Sequence, residues 1–243
     1  MKRGYDVFGK AYGIMLRNDP HAPLSIDHKL MQNMILLDDK SARTLYLPPK
    51  KNLNLYEHEL YDFAQKFKGI NQKETINNLL HFLKNQANAF TVPFSEMKFG
   101  GTEKEILIRG TDWCSDLSRV GVTLLQCLEL PARLVYLTDI NLAYHGHTVV
   151  EVFYEGKYGV LDFLHGYSFY GKDPLNAWDL LKNPTFLEGY PSDYVGLYTQ
   201  VAISEYSPLE NHNYAISFPN EYTIRLMETN HQGRWFMGED DKK

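Results

Sequence analysis

Cysteine is scarce in this sequence, and it has neither a long apolar run nor a surplus of positive charge. Only two of the 243 residues are cysteine, Cys114 and Cys127. They provide no disulfide framework, and free thiols fit a reducing compartment. No stretch reaches the apolar length of a membrane span, and the basic start MKRGYDVFGKAYG lacks the apolar run of a signal peptide. We therefore expect a cytoplasmic protein with no membrane partner.

The balance of charge argues against nucleic acid as a partner. The 30 acidic side chains outnumber the 25 basic ones, for a formal net charge of −5, and no basic stripe is visible. No acidic loop resembles a calcium site, and we expect no cofactor. A chain of 243 residues suits one large domain with extensions and can bury a substantial core.

Composition divides the chain into three stretches. Residues 1–55 have prolines at 20, 23, 48 and 49, and we interpret them as an irregular extension that wraps the core. Residues 56–165 carry helical and then strand-like patterns and form the predicted core. Residues 166–243 are an aromatic-rich extension with one short predicted helix, DPLNAWDLL, capped by Asp173. The chain closes on GEDDKK, which we predict to be disordered.

The first half of the predicted core is helical. Apolar residues recur every three or four positions in LYEHELYDFAQKF and again in KETINNLLHFLKNQANAF. After the paired glycines of GGTEKEIL, a third helix is predicted to begin near Thr111 or Asp112, both good N-caps, and to stop before Pro131. Its apolar stripe consists of Trp113, Leu117, Val120, Leu124 and Leu128.

The second half of the core reads as antiparallel strands. ARLVYL alternates with a period of two, TDINLAYHG reads as a loop, and HTVVEVFYEGKYGVLDF reads as a hairpin that turns at Glu155-Gly156. Helices followed by an antiparallel meander predict an α+β fold.

Cys114 falls in the first turn of the third helix, which is a chemically favoured place for a thiolate. Unsatisfied N–H groups and the positive end of the helix dipole both stabilise an anion there. Helical spacing puts Gly121 on the same face, where another element could approach closely. Cys127 points to the opposite side and is predicted to be a core residue.

The hairpin offers a base and a group to orient it. A two-residue turn at Glu155-Gly156 pairs Val149 with Asp162, so Asp162 lies on the face of His147, one diagonal step away. A carboxylate there can accept a hydrogen bond from the imidazole. The prediction depends on register, because a three-residue loop without a bulge would turn Asp162 to the other face.

Together these residues resemble the transglutaminase-like superfamily, which is related to the papain-type cysteine enzymes. In that family a cysteine opens a helix that ends in a small-apolar-Pro-Ala-Arg phrase. A strand with His-x-x-x-Glu-Val follows, and the next strand ends in aspartate. Here WCSDLSRVGVTLLQCLELPAR and HTVVEVFYEGKYGVLDF place Cys114, residues 131–133, His147 with Glu151, and Asp162 in that order.

The resemblance covers roughly residues 70–165, and two positions depart from it. The family often has an aromatic residue where this chain has Val149, and a proline where it has Phe163. Neither change removes a catalytic group. Glu151 is interpreted as an ion-pair partner of Arg133.

The resemblance implies a transglutaminase-like core in which Cys114, His147 and Asp162 form a catalytic triad. Cys114 would attack an amide, ester or thioester carbonyl of a small molecule or peptide, with His147 as the base and Asp162 holding its tautomer. Trp113 and His145 are the candidate substrate-binding residues. The product would be a carboxylic acid, if water takes the acyl group, or a new amide, if an amine takes it. Both a hydrolase and an acyltransferase fit the sequence.

Two other functions remain open at this stage. His145, His147, Asp162 and Cys114 are all competent zinc ligands. Alternatively, the domain could be a non-catalytic binding module with aromatic-rich flanks. Oligomeric state is not predicted.

Overall fold

A six-stranded antiparallel sheet organises the residues that the computed structural model describes, which are 34–49, 59–93, 96–138, 146–170 and 173–206. The strands are β1 (Ile35–Leu36), β2 (Ala132–Thr138), β3 (Gly146–Tyr154), β4 (Lys157–Asp162), β5 (Tyr167–Ser168) and β6 (Gln200–Ser204). Their order across the sheet is β1-β6-β2-β3-β4-β5, and every neighbouring pair is antiparallel. The protein therefore has the predicted α+β architecture.

Seven α-helices accompany this sheet in the described ranges. They are α1 (Asp39–Leu45), α2 (Tyr61–Gln65), α3 (Gln72–Ala89), α4 (Glu103–Arg109), α5 (Cys114–Cys127), α6 (Ala177–Lys182) and α7 (Ser192–Val195). Two 3₁₀ turns, Pro184–Leu187 and Gly196–Thr199, flank α7. No helix among the described residues is both long and apolar enough to cross a membrane.

Helix α5 is the central helix of the fold. Every residue from 115 to 127 is buried, as expected for a helix covered by other elements on all sides. It packs on β3, where the Ser118 hydroxyl donates to the Thr148 carbonyl at 2.9 Å and the hydroxyls of Ser115 and Thr148 lie 3.0 Å apart. These bonds fix the first turns of α5 against the strand that carries His147.

Gly121 allows the close approach that its position on α5 suggested. A methyl group at this residue would lie 2.0 Å from the ring of Phe163, which directly follows β4. The ring occupies the space that any larger side chain at residue 121 would need. Phe163 is thus packed directly against the helix that carries Cys114.

The β3–β4 hairpin has the predicted turn and register. Tyr154 pairs with Lys157 across Glu155-Gly156, and Val150 pairs with Leu161. Both turn residues have positive φ, 49° and 83°, which matches the twist that two-residue hairpins prefer. Asp162 consequently lies on the same face of the sheet as His147.

Several predicted boundaries were wrong. Trp113, not Thr111 or Asp112, is the N-cap of α5, because the Thr111 hydroxyl instead accepts from the Trp113 N–H in the turn before the helix. Asn176, not Asp173, caps α6, since its side chain accepts from the Asp179 N–H.

Other elements were shorter than predicted or were not predicted. Among the described residues of its longer periodic stretch, 59–67, helix α2 covers Tyr61–Gln65. Helix α4 was not predicted; Thr102 caps it through a reciprocal bond with Glu105. Residues 35–36 and 39–45 form β1 and α1, within a stretch interpreted as irregular. The three-part division at 55 and 165 stays a prediction, and the GEDDKK tail lies outside the described residues.

Candidate active site

Cys114 is the first residue of α5 and is partly exposed. The Trp113 backbone before it is extended, so the chain enters the helix at the thiol. Cys127, at the other end of the same helix, is buried as predicted, and burial raises the pKa of its thiol to about 12. The two cysteines therefore differ in access to solvent and to reactants.

His147 lies between Asp162 and Cys114. Its Nε2 is 2.8 Å from Asp162 Oδ2, which leaves Nδ1 unused by Asp162, and the Cys114 side chain lies near the ring. Burial disfavours the charged ring, but the charge and hydrogen bond of Asp162, together with Cys114, raise the pKa of His147 to about 10. The site therefore favours the charged, imidazolium form of His147.

Asp162 is the last residue of β4 and is fully buried. Burial alone would raise its pKa, but the charges and hydrogen bonds of His147 and His165 hold the pKa of this carboxyl well below its usual range. Its Oδ1 accepts from the backbone N–H groups of Leu164 (2.9 Å) and His165 (3.1 Å). The residue thus closes the turn after β4 and also carries a fixed negative charge beside His147.

Three residues of this site were missed at the level of sequence. His165 Nδ1 lies 2.7 Å from Asp162 Oδ2, and the Tyr190 hydroxyl donates to the same oxygen at 2.5 Å. The Tyr194 ring packs edge-on against the rings of both histidines, at 4.7 and 4.5 Å between centroids. His165 could have been suspected from its position three residues after Asp162. The two tyrosines come from a distant segment with no local signal.

A largely buried network of ion pairs connects α4 and the loop before it to the first turns of α5. Asp116 accepts from Arg109 at 2.6 Å and from the Gly100 N–H at 3.1 Å. Arg119 pairs with Glu103 at 2.8 Å. These ion pairs and hydrogen bonds connect α4 and the preceding loop to the turn that begins with Cys114.

Of the two candidate substrate-binding residues, the structure describes Trp113. Trp113 is partly exposed beside Cys114, and its ring meets Phe99 edge-on with centroids 4.7 Å apart. Its role in substrate binding stays a prediction. His145 lies outside the described residues.

Glu151 lies on the same face of β3 as His147, four residues closer to the turn, and its role there is structural. It forms the predicted ion pair with Arg133, at 2.7 Å, and both side chains are buried. Its other oxygen accepts from the Tyr46 hydroxyl and from the Ala177 N–H, each at 2.8 Å. This confirmed pair ties α1 and α6 to the sheet.

The described residues contain a group that could hold a metal ion, but it differs from the zinc set considered from sequence. It consists of His147, Asp162 and His165, whose ligand atoms lie within 4.8 Å of one another, and it does not include Cys114. In this group, His147 Nε2 and His165 Nδ1 both lie within hydrogen-bond distance of the same oxygen, Asp162 Oδ2.

Comparisons with known proteins add little to this geometry. No family model matches the sequence, and no curated protein matches it. Among solved structures, a proposed cysteine protease from Cytophaga hutchinsonii aligns over 53% of this chain and 43% of its own, with 18% identity and a TM-score of 0.36. The chain thus spans less than half of that neighbour. A likeness this distant carries no argument about fold, family or reaction.

Proposed function

We propose that this protein is a cysteine-dependent acyl-transfer enzyme with a transglutaminase-like core, in which Cys114, His147 and Asp162 act as nucleophile, base and orienting carboxylate. The observation that carries the proposal is the position of His147, which lies 2.8 Å from buried Asp162 and near the partly exposed Cys114 thiol at a helix N-terminus. A residue that served only packing would not need this chain of polar contacts.

The reaction follows from the roles of these three groups. The proton of Cys114 Sγ passes to His147 Nδ1, and the thiolate attacks the carbonyl carbon of an amide, ester or thioester. The backbone N–H of Cys114, which has no acceptor within the helix, is one donor to the resulting oxyanion. Collapse breaks the bond to the leaving amine, alcohol or thiol, which takes the proton from His147. Water or an amine then attacks the acyl-enzyme, giving an acid or an amide and restoring the thiol.

The favoured substrate class is a small molecule or peptide with an amide or thioester carbonyl. Trp113, which precedes Cys114 and is partly exposed, and the Tyr194 ring, which packs on His147, offer flat apolar surfaces to such a substrate. The binding-module alternative keeps the fold but needs no acylation of Cys114. The zinc alternative needs a bound metal for the site to work.

Trapping the acyl-enzyme tests the proposal. The protein is mixed with p-nitrophenyl acetate and with an acyl thioester, quenched in acid and digested, and the mass of the Cys114 peptide is measured. We expect acylation of this peptide in the wild type. In His147→Ala we expect the acylation rate to fall by at least about 100-fold. His81→Ala, which changes an exposed histidine of α3, is the matched control and should keep the wild-type rate.

Two further measurements separate the alternatives. Adding an amine during turnover shows whether the acyl group goes to water or to nitrogen. Metal analysis of the purified protein tests the zinc alternative directly. Two outcomes would contradict the proposed enzyme and favour a binding module. One is no acylation of the wild type with any donor, and the other is an unchanged acylation rate in His147→Ala.

A further inference from the structure

Asp162 holds two histidines rather than one. Its carboxylate accepts five hydrogen bonds, from His147 Nε2, His165 Nδ1, the Tyr190 hydroxyl, and the backbone N–H groups of Leu164 and His165. An ionised carboxylate offers about four lone-pair sites. The donors therefore share the available charge, and three of them meet on Oδ2.

His165 is placed to control that sharing. Its backbone N–H binds Oδ1 and its ring Nδ1 binds Oδ2, so a single residue fixes both oxygens and the plane of the Asp162 carboxylate. The His165 side chain is 19% exposed, whereas the His147 side chain is 1% exposed. The two rings lie 5.2 Å apart, with Tyr194 packed against both.

Other polar groups surround this pair of histidines. Cys114 faces His147 from α5, and the Lys84 ammonium of α3 donates to the Leu164 carbonyl at 2.6 Å. Burial raises the pKa of Tyr194 to about 12, and raises the pKa values of Tyr190 and Tyr198 well above the ordinary phenol value. These phenols therefore remain neutral through the neutral pH range.

We propose that His165 is a positioning residue of the proposed enzyme: its Nδ1–H holds Asp162 in line with His147 and takes a share of the carboxylate charge, which limits how tightly His147 keeps its proton. The inference rests on the proposed function. Its consequence is mechanistic, because His147 must accept a proton from Cys114 and later release it to the leaving group. Without His165, His147 would hold that proton more strongly.

Paired substitutions at His165 separate the hydrogen bond from the ring. His165→Phe keeps an aromatic ring and loses the donor, whereas the amide of His165→Asn can place an N–H near the position of Nδ1. Imidazole ¹⁵N chemical shifts of His147, assigned by comparison with His147→Gln, are followed against pH. We expect the midpoint of His147 to rise by at least about half a pH unit in His165→Phe, a three-fold change in proton affinity, and to return close to wild type in His165→Asn.

The kinetic readout should move with the spectroscopic one. We expect His165→Phe to lower the acylation rate of Cys114 about 3- to 10-fold at saturating donor with little change in KM, and His165→Asn to recover most of it. His165→Gln, a polar side chain too long to donate from the Nδ1 position, replaces His165→Phe if that variant does not fold.

The results decide the inference independently of the activity. An unchanged or lowered His147 midpoint in a folded donor-free variant would overturn it, and so would an equal rise in His165→Asn. If the wild type forms no acyl-enzyme, the proposed function fails, yet the ¹⁵N titration still reports whether His165 controls the proton affinity of His147.

Discussion

The two cysteines of α5 show how one helix can hold a reactive and an inert thiol. Cys114 begins the helix, is partly exposed and contacts His147. Cys127 ends it, lies in the apolar core and has its thiol pKa raised to about 12 by burial. Since the thiolate is the nucleophile, a thiol-directed reagent near neutral pH should report on Cys114 and leave Cys127 untouched.

The His147–Asp162 pair should make folding stability fall in the alkaline range. The folded-state pKa of His147 is about 10, against about 6.5 for an unfolded chain. Because its pKa is raised in the folded state, His147 contributes its full stabilisation of the fold below about pH 6.5. That contribution is lost as the pH rises toward 10. The pKa of Asp162 is lowered instead, so its contribution is present throughout this window and is lost only in acid.

Urea unfolding at pH 6.5 and pH 9.5 measures this effect. We expect the wild type to lose at least about 1 kcal/mol more between the two pH values than His147→Gln does. His81→Gln, at an exposed position on α3, should follow the wild type. Parallel losses in the wild type and in His147→Gln would show that His147 is not held as an imidazolium in the folded protein.

At the level of elements, the contact between α5 and the end of β4 sets the distance from Cys114 to the hairpin. Gly121 faces the Phe163 ring, and Phe163 is the neighbour of Asp162 in the chain. Gly121→Ala would drive a methyl group into that ring, so we expect a loss of about 1 to 3 kcal/mol in the free energy of unfolding. The displaced ring would also shift Asp162, which predicts slower acylation of Cys114.

A second substitution and a matched control test this steric account. Phe163→Leu should recover part of the stability lost in Gly121→Ala. The double variant should therefore lose less free energy of unfolding than the two single losses added together. Gly196→Ala is the control, because a methyl group there meets nothing within 4 Å. Equal losses at residues 121 and 196 would assign the effect to glycine in general rather than to the Phe163 contact.

Elements with strong local signals were predictable from sequence, and contacts made across the fold were not. Alternating residues and the Glu155-Gly156 turn were enough to predict the register that brings Asp162 to His147. Trp113 is the N-cap instead of Thr111 or Asp112, because the Thr111 hydroxyl accepts from the Trp113 N–H before the helix begins. Tyr190 reaches Asp162 from 28 residues away, and no periodicity or turn chemistry reports such a contact.

At the level of the whole molecule, the sheet joins distant parts of the chain into the site. β6 pairs with β2, and β2 pairs with β3, the strand of His147. On the same sheet, Glu151 accepts from Tyr46 and from the Ala177 N–H, so segments on both sides of the predicted core end on one buried carboxylate. Burial of the Arg133–Glu151 pair makes this junction costly to break, because removing one partner leaves an unpaired charge in the interior.

Truncation tests whether residues 56–165 with the N-terminal segment are enough for this structure. A chain ending at residue 206 keeps every described element, whereas one ending at residue 165 loses β6, Tyr190 and Tyr194. We expect the longer form to unfold cooperatively in urea and to acylate Cys114 like the full chain. The shorter form leaves β2 as an open edge and the Asp162 carboxylate without its phenol donor, so we expect aggregation or non-cooperative unfolding and little acylation. Cooperative unfolding of the 165-residue form with a wild-type near-ultraviolet circular dichroism spectrum would show instead that the C-terminal segment is an accessory to an independently stable core.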